Sequence, residues 1–450
     1  MNIGFVSLGC SKNLLDTEMA IGLFKRNNHN IVNNPANAEV IVVNTCGFIE
    51  PAKEEAINTI LEMAEYKKQK CKYLIVMGCL AERYKEELKK ELPEVDLFIK
   101  FSEYSTFWEQ IVESMKKKLD IPQGKEYDSL NEKLEYDERI VSTGNNYAYL
   151  RIADGCDNFC TFCAIPYIRG RFNSRTEEDI LNEAKELAKE GTREFIIIAQ
   201  DTTKYGTDIY GKPMLADLLH KLSQIEGVEW IRFLYSYPET ITDDLIEEVK
   251  NNDKICKYFD IPMQHISDKI LKKMNRKSTK ASTIKLLERL RTEIPGVIIR
   301  STLMVGFPGE ENEDFEELYD FVKWAKFDKL GCFSYSKEEG TAAATMSEQV
   351  HPMTKKSRYN KVMQLQQQIS RENLERFIGE EFKILVEDAY ANEDNELYFV
   401  GRTYMDVPEI DGYVYIKSNE EEAKNVELNT FRKCKITGIK DYDLIAKFVK

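Results

Sequence analysis

Apolar and polar positions alternate in blocks along the first hundred residues. Short β-rich runs, "NIGFVSLGC", "EVIVVNTC" and "KYLIVMGC", are separated by amphipathic stretches such as "LLDTEMAIGLFKRNN" and "EEAINTILEMAEYKKQK". Strand–helix–strand repetition of this kind predicts a parallel sheet with helices on its faces. Each of the three predicted strands ends at a cysteine: Cys10, Cys46 and Cys79. In an open parallel sheet the strand C-terminal ends share one edge, and ligands bind in the crevice there. A single thiol at such a place reads as a small apolar filler. Three at the same terminal position predict a shared metal site.

The pattern then changes four times. Residues 1–116 are expected to form the N-terminal α/β domain. Residues 117–145 are polar, charged and aperiodic, which predicts a linker with room for a hairpin of its own. Over 146–345 the alternation resumes, with strands expected at "YAYLRIADG", "EFIIIAQD", "WIRFLYS", "KYFDIPMQ", "GVIIRSTLMVGFPG" and "KLGCFSYS". Six β/α units predict a partial (β/α)6 barrel rather than two small sheets, with its chemistry at the strand C-terminal ends. One of its helices is expected to begin after Ser174, with Glu177 completing a capping box, and to end at Gly191. Residues 346–379 hold a connecting helix, expected over 355–378 and closed by Gly379. Residues 380–450 carry four or five short strands, which predict a small β-barrel.

Composition narrows the function. At 450 residues the chain has room for roughly three domains, each able to bury a core. No run is long and apolar enough to span a bilayer, and the N-terminus lacks a basic, apolar, small-residue export pattern. A cytoplasmic location without membrane association is therefore expected. A net charge of −14, from 63 Lys and Arg against 77 Asp and Glu, argues against a general nucleic-acid binder. Ten cysteines in a reducing compartment point to metal or redox chemistry rather than disulfides.

The densest chemistry is "GCDNFCTFCAIP" at 155–166, where Cys156, Cys160 and Cys163 fall on the loop after the first barrel strand. Structural zinc normally closes with a fourth Cys or His, and the loop holds none. The next candidates by sequence, His220 and Cys256, fall in later elements, and His265 lies in "MQHIS" after another strand. Cysteine thiolates also hold iron–sulfur clusters, and a site supplying three leaves one iron open to another ligand.

The C-x3-C-x2-C spacing after the first strand of a β/α barrel resembles the radical S-adenosylmethionine (SAM) enzymes. That resemblance implies a 4Fe-4S cluster on Cys156, Cys160 and Cys163, with SAM as its fourth ligand and a 5′-deoxyadenosyl radical as the product of reductive cleavage. It also implies that Phe162 packs near the adenine. Gln200, and more weakly Asp201, stand where the superfamily contacts the methionine moiety. The whole chain is similar to the methylthiotransferases, which join an N-terminal domain with three spaced cysteines, a radical-SAM partial barrel and a C-terminal TRAM-type β-barrel. Within them "AQDTTKYGTDIYG", "FDIPMQHISDKILKKMNR" and "GRTYMDVPEIDGYVYI" resemble the branch that modifies an aspartate of small-subunit ribosomal protein twelve. "SRT" at 174–176 departs from it, since relatives usually carry Pro after "SR". The resemblance implies a second 4Fe-4S cluster on Cys10, Cys46 and Cys79. It further implies a sulfur donor and an electron donor such as flavodoxin or ferredoxin. A sister activity on a tRNA adenosine and a non-catalytic iron–sulfur protein are the alternatives.

Other candidates have plainer readings. Cys71, Cys256, Cys332 and Cys434 are expected as buried structural thiols, and His265 as a hydrogen-bonded structural residue. "MVGFPGE" (304–310) either lets backbone approach the nucleoside or forms a tight βα turn. Residues 380–450 carry 10 Lys and Arg against 16 Asp and Glu. That balance is expected to favour docking of a basic ribosomal protein through the acids of 387–411.

Overall fold

The structure is a computed structural model of the 450-residue chain, and it describes residues 1–119, 134, 136, 139–392 and 396–449. Most of the predicted 117–145 linker, and any hairpin in it, lies outside the described residues.

The N-terminal strands are β1 (Asn2–Ser7), β2 (Asn30–Val32), β3 (Val40–Thr45), β4 (Tyr73–Gly78) and β5 (Leu97–Ile99), all parallel in the order β2-β1-β3-β4-β5. Helices α1 (Ser11–Arg26), α2 (Glu50–Glu65), α3 (Cys79–Glu91) and α4 (Phe107–Leu119) cover it. Val40–Val43 and Leu74–Met77 are fully buried, as strands covered on both faces must be. The pattern missed β2 and β5, three-residue edge strands too short to show a period.

The central region has six parallel strands: β6 (Tyr147–Arg151), β9 (Glu194–Ile198), β10 (Trp230–Phe233), β11 (Tyr258–Gln264), β12 (Ile298–Val305) and β13 (Lys329–Ser334). A short pair, β7 (Ala153–Asp154) and β8 (Asn173–Ser174), frames the cysteine loop. The order is β6-β9-β10 and β11-β12-β13, and a parallel bridge between Ile231 and Ile255 joins the triplets into one wall. Its helices are α5 (Ile165–Ile168), α6 (Glu177–Lys189), α7 (Leu215–Ser223), α8 (Asp243–Asn251), α9 (Asp268–Lys273), α10 (Lys280–Glu293) and α11 (Asn312–Ala325). The cap of α6 corrects the expectation: Thr176 is the N-cap and accepts from the Asp179 N–H, whereas Ser174 lies in β8 and bonds Asp208. Thus the threonine standing where relatives have proline supplies the cap itself. Helix α12 (Pro352–Glu375) starts three residues before the expected 355, capped by His351.

The C-terminal strands β14 (Glu381–Ala391), β15 (Leu397–Arg402), β16 (Val414–Ser418), β17 (Thr430–Lys440) and β18 (Asp443–Phe448) close a barrel in the order β14-β15-β16-β18-β17. The strand alternation explains how this barrel docks. Ala148, Leu150, Phe195, Ile197 and Ile231 face the helices. Tyr147, Tyr149, Ile196, Ile198, Trp230 and Tyr258 face the other way and join one apolar core with Met405, Val407 and the barrel interior. The C-terminal barrel thereby closes the concave side of the wall. Arg402, fully buried, binds Glu194 at the wall and Glu387 on its own barrel. Among the described residues no helix is long and apolar enough to cross a membrane.

Candidate active site

Strands β1, β3 and β4 are neighbours, so their C-terminal ends deliver three thiols to one edge. Cys10 caps α1, Cys46 follows β3 directly, and Cys79 opens α3. A glycine stands beside each cysteine, a signal the strand pattern did not use. A Cβ on Gly9 would lie 2.7 Å from the Cys46 Cβ, one on Gly47 2.8 Å from the Leu80 backbone, and one on Gly78 2.2 Å from Asn44 Oδ1. The chain segments approach more closely than any side chain would permit.

The second triad is local. Gly155 takes φ +73° and a Cβ there would strike the Arg171 carbonyl at 2.1 Å. Cys156 N–H donates to Gly170 O, Thr161 N–H to Met274 O, and Asn275 Nδ2 to Phe159 O. Asp201 is buried and accepts from Asn158 Nδ2, so it braces the loop rather than lining the site.

Both triads line a single cavity of about 400 Å³. Burial pushes the thiols of Cys46 and Cys163 up, that of Cys79 to about 12 and that of Cys156 to about 11. Such thiols keep their protons unless a metal centre displaces them. Among the described residues no three Cys, His, Asp or Glu side chains converge closely enough for a single metal ion. A four-iron cluster asks for a wider set, because each thiolate binds a different iron.

Phe162 lines this cavity and packs edge-on to Phe307, ring centroids 6.4 Å apart. Gln200 lines it too; its Nε2 donates to Asp154 (2.9 Å), while its buried Oε1 has no partner. An orphaned acceptor on a residue of the cavity wall is a candidate to take a donor. The six thiols, the glycine cradles and this free amide oxygen fit two clusters with a bound amino acid moiety.

Several residues at the site escaped the sequence reading. Tyr237 Oη lies 3.1 Å from Cys160 Sγ, and the Arg276 guanidinium stacks over the Tyr237 ring at 4.0 Å. Asp16 of α1 receives Arg151 and Arg169, both at 2.7 Å, and Asp154 receives the same two arginines at 3.1 Å. This buried square ties the N-terminal domain to the barrel between the two triads. Asp260 takes Arg300 at 2.8 Å. Lys12 and, from the C-terminal barrel, Val407 and Ile410 also line the cavity.

The remaining candidates stand apart. Cys71, Cys256, Cys332 and Cys434 are buried outside the cavity. His265 is fully buried, accepts from Ser267 N–H and is pushed down to about 3 by desolvation; His220 is exposed beside Glu248. Neither lines the cavity. "MVGFPGE" forms a βα turn in which Glu310 accepts from Gly306 and Phe307 N–H and pairs with Arg358; it does not line the cavity either.

A parallel barrel with a cysteine triad at the first strand end defines a radical-SAM enzyme, and residues 150–322 match the model of the radical SAM superfamily. Residues 2–100 match "Uncharacterized protein family UPF0004" and 378–449 the TRAM domain. The methyltransferase TsrM from Kitasatospora setae, whose structure holds cobalamin and a 4Fe-4S cluster, superposes with a TM-score of 0.55 at 11% identity, covering 74% of both chains. That likeness concerns the fold. Proteins described as ribosomal protein uS12 methylthiotransferase RimO are far more similar in sequence. The one from Alkaliphilus oremlandii is 59% identical, covering 99% of both chains, and the one from Acetivibrio thermocellus is 49% identical over 99% and 98%. The chain belongs to the RimO family of methylthiotransferases. It is a radical-SAM methylthiotransferase, and its cofactors are two 4Fe-4S clusters with SAM as cosubstrate.

Proposed function

We propose that this enzyme methylthiolates an aspartate of small-subunit ribosomal protein uS12. In this reading Cys10, Cys46 and Cys79 hold one cluster and Cys156, Cys160 and Cys163 the other. The observation that carries it is the shared cavity: two triads from two domains line one space. When bound, the clusters and SAM supply one-electron cleavage of a C–S bond and a methylated sulfur for insertion.

The chain's own residues bind, orient and shield. Gln200 Oε1 accepts from the amino group of SAM, with Asp154 fixing the amide through its Nε2. Phe162 offers an apolar ring to the nucleoside. Phe48, Ile165, Leu234 and Val407 give the space an apolar lining, which helps to keep water from a reactive carbon centre. An electron donor such as flavodoxin or ferredoxin and a sulfur donor complete the partners of this proposal.

The C-terminal barrel is the proposed dock for the ribosomal protein, but fewer of its acids are available than the charge balance suggests. Glu387 pairs with Arg402, Glu396 with Lys417 and Asp406 with Lys329, while Asp411 accepts from Tyr258. Asp388 and Glu409 remain exposed; Glu393 and Asp394 lie outside the described residues. The deciding experiment is mass spectrometry of uS12 and of tRNA nucleosides from cells with and without the gene. A mass gain on uS12 that depends on the gene is expected. A gene-dependent change in tRNA with uS12 unaltered would overturn the substrate assignment.

A further inference from the structure

The cavity contains four cations, and three of them have carboxylates close by. Arg169 binds Asp16 and Asp154, Arg300 binds Asp260, and Arg276 stands 3.9 Å from Glu239. Lys12 differs. It is 7% exposed, it lines the cavity, and it has no hydrogen bond or ion pair among the described residues. Its Nζ sits 3.1 Å from the centroid of the Tyr235 ring. A ring face holds an ammonium in place without neutralising it. With little exposure to water and no carboxylate bonded to it, this ammonium can take an anionic group that enters the cavity.

The holder is itself unusual. Tyr235 takes φ +63°, in the left-handed region that a bulky residue occupies only when its surroundings force it. Its N–H donates to Asp260 Oδ2 at 3.0 Å, and its carbonyl accepts from Thr202 N–H at 3.1 Å. The segments after β9 and β10, with Asp260 of β11, thus cooperate to present that ring to Lys12. The ammonium comes from the N-terminal domain, whereas the proposed cosubstrate contacts, Phe162 and Gln200, come from the barrel.

We propose that Lys12 binds the side-chain carboxylate of the target aspartate and sets the preference for an acidic residue. This rests on the substrate reading above and adds a specificity-determining residue to it. The only side-chain carbon of aspartate that bears hydrogen is bonded directly to the carboxyl carbon. A cation fixing that carboxylate therefore places the reacting carbon within one bond of a held atom, the kind of positioning that speeds a reaction. Asparagine has nearly the same shape and no charge, so it isolates the contribution of Lys12.

The test uses the full chain, reconstituted anaerobically, and peptides of the uS12 target loop carrying Asp or Asn at the modified position. A charge-assisted hydrogen bond predicts that wild type prefers Asp by roughly 10- to 100-fold in peptide affinity and in kcat/KM. Lys12→Gln should bring both ratios close to one, and Lys12→Arg should restore part of them. SAM affinity and the peptide-free paramagnetic resonance spectrum of the reduced clusters are measured alongside. If Lys12→Gln keeps the full Asp preference, the inference is wrong although the function stands. If its main effect is on SAM affinity or on the cluster spectrum, with the Asp preference intact, Lys12 serves the cosubstrate or the cluster and the inference is equally overturned. Failure of wild type to modify either peptide or intact uS12 would instead remove the substrate reading.

Discussion

The two cysteine triads face the same cavity but are built in opposite ways. Cys156, Cys160 and Cys163 lie on one loop, clamped by Met274, Asn275 and Gly170. Cys10, Cys46 and Cys79 are drawn from three strands and meet only because β1, β3 and β4 are adjacent. The first triad needs a correct loop, and the second needs a whole folded sheet. The local site should therefore survive damage to the N-terminal domain, while the distributed one should fail with any change that moves one strand end against another.

Removing the ligands gives the largest effect. Wild type should hold about eight irons per chain after reconstitution, four per cluster. Replacing Cys156, Cys160 and Cys163 by Ala should halve the iron and abolish reductive cleavage of SAM. Replacing Cys10, Cys46 and Cys79 should also halve the iron but leave cleavage measurable while sulfur insertion stops. Iron analysis and chromatography of the SAM products check this. A fully loaded, active wild type with only half the expected iron would end the two-cluster account.

Next comes the joint between the triads. Asp16 is wholly buried and receives both Arg151 and Arg169, so Asp16→Ala should cost about 3–5 kcal/mol, as leaving buried charges unpaired does. Thermal unfolding should split, the N-terminal domain melting first. Asp154 makes the same joint sensitive to acid. Burial pushes its carboxyl up, but Arg169, Arg151, the Gly155 N–H and Gln200 outweigh that and hold it below the usual value. Its stabilisation is thus complete above roughly pH 4 and is lost as the pH falls through the lowered native value. Asp154→Asn should flatten that part of the acid limb in a stability-versus-pH curve.

A smaller and more selective break is Gly78→Ala. Gly78 has φ +97° and ψ −160°, a region essentially confined to glycine, where other residues cost about 1–3 kcal/mol. Its new Cβ would also meet Asn44 Oδ1 and Thr45 O at 2.2 and 2.6 Å. The distributed cluster should be lost or loosely held while SAM cleavage persists. Equal loss of both clusters would show that the triads are not independent.

The same contrast governs how much could be read from the sequence. The local triad is visible as spacing, and the distributed one became visible once three strand ends were recognised. The polar residues of the cavity wall were not. Asp260, flanked by Phe259 and Ile261 on β11, and Arg300, which follows Ile299 on β12, read equally well as residues of a strand facing water. They face inward because the C-terminal barrel closes the concave side, a tertiary fact that no local period carries. Lys12 and Asn13 precede the amphipathic stretch that begins at Leu14, and no local pattern marks them, for the same reason. The N-cap of α6 was misplaced by two residues because Ser174 and Thr176 are equally good caps by type, and only the β8 pairing of Ser174 decides between them.

The finest probe of the comparison is a single hydroxyl. Tyr237 Oη lies 3.1 Å from Cys160 Sγ, whereas Cys79 Sγ has Asn13 Oδ1 at 3.5 Å and Arg169 Nη2 at 3.9 Å. A hydroxyl that donates to a thiolate stabilises the more negative, reduced state of the centre that the thiolate binds. Tyr237→Phe should therefore lower the reduction potential of the barrel cluster. One such hydrogen bond is worth about 1 kcal/mol, or roughly 40 mV for a one-electron couple. The N-terminal cluster, whose cysteines do not bond this hydroxyl, should keep its potential. A redox titration followed by paramagnetic resonance, with each triad deleted in turn to leave one cluster at a time, resolves the two values. A shift of the barrel cluster alone would show that each triad is tuned by its own surroundings, and equal shifts in both would mean that the cavity tunes them together.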